Sequence, residues 1–404
     1  MNIKSAAVAG TLESSDAQVT VRPSDKGLFV HIESSVMNQY GRQIKATVVE
    51  TLKNLGVRFG SVEVVDKGAL DCTIKARVEC AVLRSNEAAE KNIDWNFEKT
   101  AKVTRGKPEK VRLRRTMMFM NAQKPGLIKD AYIYGSDSII LDLEDAVAEN
   151  QKDAARFSLY HALKNIDYGK TEVIVRINGL DTPHWQEDIR CVVAGGADGI
   201  RIAKCESAED VRKVEAEVIK AEKEFGVEEG RTLLMAALES PKGIMNAYEI
   251  LMASPRMFGC AISGGDFRKS MHVQIERDGI EMMTARGNML MAARAAGLQC
   301  FDTMWPNIDD VEGFQSEVRQ NRKMGFDGKS VVNPKQIQYV HDTFAPTPKE
   351  IAYAEKLCRS FNEQADAGVG VYTVDGKMVD IPFFEDARRV IELAKVCGVY
   401  HGDL

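Results

Sequence analysis

Paired cysteines are missing from this 404-residue chain. The eight cysteines (Cys72, Cys80, Cys191, Cys205, Cys260, Cys300, Cys358 and Cys397) are scattered, with no CxxC and no close Cys/His cluster. That pattern argues against a disulfide framework or a zinc site and makes a reducing cytoplasm the expected setting. No apolar run approaches membrane-spanning length, so no membrane role is expected. The opening MNIKSAAVAGTLESSD turns polar before a signal-peptide core could form. An excess of positive charge is lacking too: the formal net charge is −5, which argues against general nucleic-acid binding. What is present is ordinary for a soluble globular protein, 44% hydrophobic and 28% charged. The length is too great for one ordinary core, so two domains are expected.

The first hundred residues alternate with a period of two. Ala17, Val19 and Val21 point one way, and Leu28, Val30 and Ile32 repeat this after Pro23-Ser24-Asp25-Lys26-Gly27, which predicts a hairpin. Ile44, Val48, Leu52 and Leu55 follow helical spacing, closed by Gly56. Alternation returns at Val62 and Val64, then at Ile74, Ala76, Val78 and Cys80 between Lys75, Arg77 and Glu79. The order ββαββ predicts a small α+β domain over 1–97.

From Glu98 the hydrophobic pattern lapses into Lys99, Lys102, Arg105, Lys107 and Lys110, with Gly106 and Pro108. Residues 98–111 read as a basic linker able to extend to roughly 45–50 Å. Such a run is expected to be a solvated tether, the alternative being a contact for cofactor phosphates. Beyond it, eight short apolar runs alternate with helical stretches: Thr116–Met120, Ser138–Glu144, Glu172–Asn178, Gly199–Lys204, Thr232–Glu239, Phe258–Gly265, Gln299–Trp305 and Gly328–Asn333. Runs buried on both faces between amphipathic helices indicate parallel βα units. The span 112–344 is close to the ~250 residues of a (β/α)8 TIM barrel. An open doubly wound sheet is the alternative, but no GxGxxG follows the first run. The tail 345–404 predicts two helices around a hairpin at Val369–Val374 with a turn at Asp375-Gly376. It suits a lid or an oligomer contact.

In a parallel barrel the carboxyl ends of the strands converge on one mouth. Here those ends are polar: Asp142, Glu144 and Asp145; Arg176; Lys204; Glu239; Asp266 just after the sixth; Asp302 on the seventh; Asn333 at the eighth. Each has an ordinary alternative, since Asp and Asn cap helices and a carboxylate can pair with a lysine. That alternative weakens when nearly every strand ends this way. Glu239 and Asp266 close neighbouring strands, and adjacent carboxylates repel unless a cation sits between them. Oxygen-only ligands suit Mg²⁺ rather than zinc. Arg176 is a natural bidentate clamp for a substrate carboxylate. None of the six histidines ends a barrel strand. The residues thus point to a Mg²⁺-dependent lyase or aldolase acting on a carboxylate, because a metal and an arginine together stabilise charge developing on oxygen.

Two sets of motifs narrow this. Residues 6–16, AAVAGTLESSD, and 66–72, DKGALDC, resemble the citrate lyase acyl carrier protein, the γ subunit. RRTMMF, DLEDAV, EVIVRIN, GGAD, AALESP, FDGKSVVNP and DGKMVD resemble the citrate lyase β subunit, or citryl-lyase. The first resemblance implies a phosphoribosyl-dephospho-CoA arm on Ser14, with Ser15 at what is often a glycine position. The second implies Mg²⁺ on Glu239 and Asp266, substrate contacts from Arg176 and Glu239, and a catalytic Asp380 on a C-terminal lid reaching a neighbouring subunit, a helix-capping role being the alternative. It also implies citryl-thioester cleavage to oxaloacetate, a separate α subunit that loads citrate, enzymes that attach and acetylate the arm, and a homo-oligomer. The chain departs from the family at Met120-Asn121-Ala122, usually Val-Pro-Gly, and at Gly264-Gly265-Asp266, often Gly-Ala-Glu-Asp. Two other readings stay open: a malyl-, citramalyl- or related lyase using free CoA thioesters, and a non-catalytic carrier or scaffold.

Overall fold

Alternating small apolar residues build the first sheet. In the computed structural model, which describes residues 2–86, 93–97, 102–366 and 371–404, β1 (Ala7–Ala9), β2 (Ala17–Arg22), β3 (Leu28–Ser34) and β4 (Gly60–Asp66) form a sheet of order β1-β2-β4-β3. Helices α1 (Met37–Asn54) and α2 (Asp71–Arg84) complete this domain. The expected hairpin between β2 and β3 does not form. β4 lies between them, antiparallel to β2 (Val19 opposite Val64) and parallel to β3 (Ile32 opposite Val64). A parallel pair needs a long crossover, and α1 supplies it.

The strand expected at 74–80 is also corrected: it is the middle of α2. This helix is buried almost all round, between the sheet and the barrel helix Lys152–Asn165, so it has no polar stripe to reveal its period. The charges that mimic alternation are buried partners instead. Arg77 pairs with Asp16, and Glu79 with His161 of the barrel. Nearby, Arg84 donates to Asp153 at 2.6 Å and 2.5 Å. Trp95 and Phe97 pack on Phe157 and Tyr160, with the Trp95 indole donating to Glu187 at 2.6 Å.

The start of the expected linker, 98–101, lies outside the described residues. Residues 102–115 are strapped to the floor of the barrel, though Lys102, Lys107, Lys110 and Val111 stay exposed to solvent. The Lys102 and Val103 amides donate to the Lys164 carbonyl, Arg105 pairs with Asp198 and donates to the Thr171 carbonyl, and Lys110 reaches the Pro255 carbonyl. Arg114 is buried with both Glu172 oxygens at 2.8 Å, and Arg115 holds Asp137 at 2.9 Å. Most of these partners sit at or just before strand starts, so the described part of the run faces away from the mouth.

All eight expected barrel strands are present: β5 (Thr116–Asn121), β6 (Ser138–Asp142), β7 (Glu172–Ile177), β8 (Gly199–Ile202), β9 (Leu233–Leu238), β10 (Met257–Ile262), β11 (Gln299–Asp302) and β12 (Gly328–Val331). Every pairing is parallel and β12 closes on β5. Met117, Ile140, Ile174, Met235, Phe258 and Phe301 fill the interior. Most strands stop short of the expected ends, so Glu144, Lys204 and Glu239 stand on the loops of the mouth and Asp266 in the first turn of the helix that follows β10. The helix Pro348–Asp366, a hairpin of β13 (Tyr372–Val374) and β14 (Lys377–Val379), and the helix Ile381–Val396 follow. Val369 of the expected hairpin lies outside the described residues. Asp375 and Gly376 both have positive φ, 48° and 75°, as a tight hairpin turn requires. This segment has its own apolar cluster, including Leu357, Val374, Val379 and Ile391.

Candidate active site

The mouth holds a cavity of about 410 Å³ lined by Phe119, Asp145, Arg176, Arg201, Asp266 and Thr303 among others, a size that suits a small ligand. Several polar strand ends satisfy one another there. Arg176 Nε and Nη2 each donate to an Asp142 oxygen at 2.7 Å, and Nη1 lies 2.8 Å from Glu144 Oε2. Lys204 Nζ donates to Glu144 Oε1 at 2.6 Å. Lys204 adopts a left-handed φ of 49°, a conformation uncommon outside glycine. Burial opposes ionisation of Asp142, yet its hydrogen bonds from Arg176 hold it below the usual carboxylate range. Glu144 is raised by burial despite Arg176 and Lys204.

Three charged groups of the mouth are left without such partners among the described residues. Glu239 is 2% exposed and neither carboxylate oxygen has a hydrogen-bond partner among the described residues. Burial, then the neighbouring Glu144 charge, pushes it up to about 7 against the pull of Arg176 and Arg201. Asp266, in the first turn of the helix Gly264–Met271, lines the cavity and adds to the negative field at Glu239. Arg201 on β8, in register with Arg176 on β7, is the residue that the strand-end reading missed. Its signal was a charge inside the short apolar run GIRI, three residues before the flagged Lys204.

The other expected site residues fall in different places. Asp302 leaves the mouth: it is fully buried in an ion cluster with Arg286, Lys329 and, through them, Glu317. Asn333 accepts from the Lys335 amide, a turn role. Ser14 is exposed, on a loop held from behind by Asp16, which accepts from the Thr11 amide and hydroxyl and from the Ala17 amide. Its carbonyl lies 3.2 Å from where a side chain on Gly126 would begin, so Gly126 lets this loop seat beside the turn that follows β5. Ser15 takes a φ of 65°, which explains a glycine preference there. Asp380 occupies the N-cap position of Ile381–Val396 yet makes no capping bond, and Oδ1 is buried without a partner among the described residues. It does not line its own chain's cavity.

The departures also have structural content. Asn121 replaces the proline turn by accepting from the Gln123 amide at 2.8 Å and donating to the Ala146 carbonyl at 2.5 Å. Gly265 faces open space, so what is lost there is a charge and not a fit. Among the described residues no group of three carboxylate, histidine or cysteine side chains stands ready to hold a metal by itself. The unpaired oxygens of Glu239 and the neighbouring Asp266 fit Mg²⁺, which binds through one or two carboxylates and completes its shell with water and substrate.

A closed parallel barrel with its polar residues gathered at the carboxyl mouth defines a (β/α)8 enzyme, here a carbon–carbon lyase. Residues 115–334 match the model of the HpcH/HpaI aldolase/citrate lyase family, to which the chain belongs. Residues 277–399 match a C-C bond lyase of the TIM-barrel fold, and residues 4–85 match an acyl-carrier family described as the malonate decarboxylase delta subunit. The chain is 47% identical over 283 residues to the citrate lyase subunit beta of Leuconostoc mesenteroides subsp. cremoris, covering 70% of this chain and 94% of the relative. It is 34% identical over 286 residues to a (3S)-malyl-CoA thioesterase of Cereibacter sphaeroides, covering 71% and 96%. The crystal structure of protein CitE from Mycobacterium tuberculosis with magnesium, acetoacetate and coenzyme A is similar with a TM-score of 0.56, 28% identity and coverage of 70% and 98%. No described helix is long and apolar enough to cross a membrane.

Proposed function

We propose that this chain cleaves a citryl thioester borne by its own amino-terminal domain, yielding oxaloacetate and the acetyl thioester. The observation that carries this reading is the seat of the Ser14 loop against Gly126, beside the mouth of a lyase barrel in the same chain. A lyase that uses free CoA thioesters has no need of such a loop. Exposed Ser14 suits covalent attachment of phosphoribosyl-dephospho-CoA, which would present the thioester to the mouth.

Glu239 and Asp266 would hold Mg²⁺, since a buried carboxylate without partners is costly until a cation joins it. Bound there, the ion would polarise the oxygens of the oxo-acid portion. Arg176, fixed by Asp142, keeps positive charge on the cavity wall toward the substrate carboxylates. Cleavage breaks the bond between the carbinol carbon and the methylene beside the thioester; the hydroxyl gives up its proton and the methylene gains one. Asp380 of a neighbouring copy is the group assigned to proton transfer, because its carboxylate neither caps its helix nor enters its own cavity. That assignment requires a homo-oligomer. Loading citrate falls to a separate α subunit, and arm attachment and acetylation to dedicated enzymes. The buried free thiols fit work in the cytoplasm.

Intact mass of natively produced protein tests the reading. An arm-sized addition, lost in Ser14→Ala together with turnover of self-borne citryl groups but not with cleavage of citryl-CoA, is expected. An unmodified but fully active wild type overturns it.

A further inference from the structure

Four arginines are almost wholly buried among the described residues: Arg77, Arg114, Arg201 and Arg286. Three are neutralised by a carboxylate, Asp16, Glu172 and Asp302 respectively, at 2.8 Å each. The Arg201 side chain makes no hydrogen bond or ion pair with any described residue, and its Nε and Nη1 are buried without a partner. It lines the mouth cavity. Its guanidinium and that of Arg176 lie 5.1 Å and 5.3 Å from the centre of the same Phe119 ring. Burial, and then the like charge of Arg176, pushes Arg201 down to about 10, while Glu239, Asp142 and Glu144 act on it only at longer range. A buried cation beside another cation is unfavourable unless an anion arrives.

The two arginines are not equivalent. Every nitrogen of Arg176 already faces a carboxylate of the protein. Ser330 also lines the cavity with a buried, unpartnered hydroxyl, but among the described residues the unspent charged donors there belong to Arg201. A mono-carboxylate oxo acid offers one anionic group to this wall; a four-carbon oxo diacid offers two. We propose that Arg201 binds the second carboxylate of a dicarboxylate oxo-acid portion and so sets the preference of this site for oxaloacetate over mono-carboxylate oxo acids such as pyruvate. The inference rests on the lyase reading above and gives that reading its specificity. A site whose buried donors go unpaired with the smaller ligand discriminates strongly, because the cost falls on the wrong ligand.

Calorimetric titration of the Mg²⁺-loaded full chain with oxaloacetate and with pyruvate tests this. Wild type should bind oxaloacetate more tightly. Arg201→Gln should lose roughly 10- to 100-fold for oxaloacetate, the span of a charged hydrogen bond, with pyruvate changed less than about threefold. Arg201→Lys, which keeps the charge and is the readout if the glutamine variant does not fold, should lose oxaloacetate affinity by several-fold and spare pyruvate. Equal losses for both ligands, or none for either, overturn the assignment. The lyase reading fails separately: a wild type that prefers oxaloacetate yet leaves citryl-CoA intact sinks the reaction and keeps Arg201. A wild type that cleaves citryl-CoA while Arg201→Gln retains the preference sinks only Arg201.

Discussion

Arg77 and Asp16 form a buried two-pronged pair, Nε to Oδ1 at 2.8 Å and Nη2 to Oδ2 at 3.1 Å, and the same Nη2 donates to the Gln123 carbonyl of the barrel at 2.9 Å. One guanidinium therefore fixes both the loop that carries Ser14 and the turn at the barrel mouth. Removing it strands a buried carboxylate, so Arg77→Met should cost about 3–5 kcal/mol. Adding Asp16→Asn to that variant should restore part of the loss, because the stranded charge is gone. Chemical denaturation of the single and double variants measures both. The proposed geometry adds that Arg77→Met should slow turnover of self-borne citryl groups more than cleavage of citryl-CoA.

Glu239→Gln and Asp266→Asn should each abolish Mg²⁺-dependent cleavage of citryl-CoA while the barrel stays folded. Thermal melting gives an independent reading. Mg²⁺ should raise the wild-type midpoint through selective binding to the folded state and leave both variants unmoved. Without the ion, Glu239→Gln should match or exceed wild-type stability, since it removes a buried group that burial already disfavours as a charge. Near-normal rates in both variants would place the metal elsewhere.

Asp380→Asn should lose turnover by roughly 10²–10⁴, the factor for a missing acid–base group. Stability should hardly change, because no capping bond is lost. Mixing this variant with Glu239→Gln chains should restore part of the activity if the segment reaches across subunits. Normal turnover in Asp380→Asn would end the catalytic role; an inactive mixture would end only the cross-subunit one.

Asp302 is held below the usual carboxylate range: burial would raise it, but the charges of Arg286 and Lys329 prevail. A carboxyl depressed in the folded state lends stability that is present above its unfolded pKa, about 3.9, and is lost as the pH falls through the folded value. Wild type should therefore lose stability as the medium is acidified below about pH 4. Asp302→Asn should be weaker at pH 7 by about 3–5 kcal/mol, since it leaves buried cations underpaired, and should lose less on acidification. Urea midpoints across pH 3–7 would show whether the two curves converge.

The barrel was legible because parallel strands buried on both faces write themselves as apolar runs, and each of the eight stands where its run predicts. The small domain was harder to read. α2 is enclosed on all sides, and Arg77 and Glu79, which gave the segment its false period of two, are interface partners whose mates lie far along the chain. β2 and β3 alternate correctly, but alternation does not say which strand lies beside which. At the mouth, strand-end position singled out Glu239, Asp266 and Arg176, and also Asp302, whose cluster points the other way. Arg201 sits within its strand, where a charge looks like an interruption of the pattern rather than a feature of it.

The strap beneath the barrel changes how traffic to Ser14 must run. With Arg105 on Asp198, Arg114 on Glu172, and α2 clamped to the barrel helix through Arg84 and Asp153, the carrier is moored to its berth and does not swing as a float on a line. On the proposed reading, travel between loading and cleavage would then belong to the arm alone, within the arm's own length. Whatever delivers citrate in that proposal would have to come alongside the rim where Ser14 stands, and lengthening the connection between the domains would gain it no extra reach.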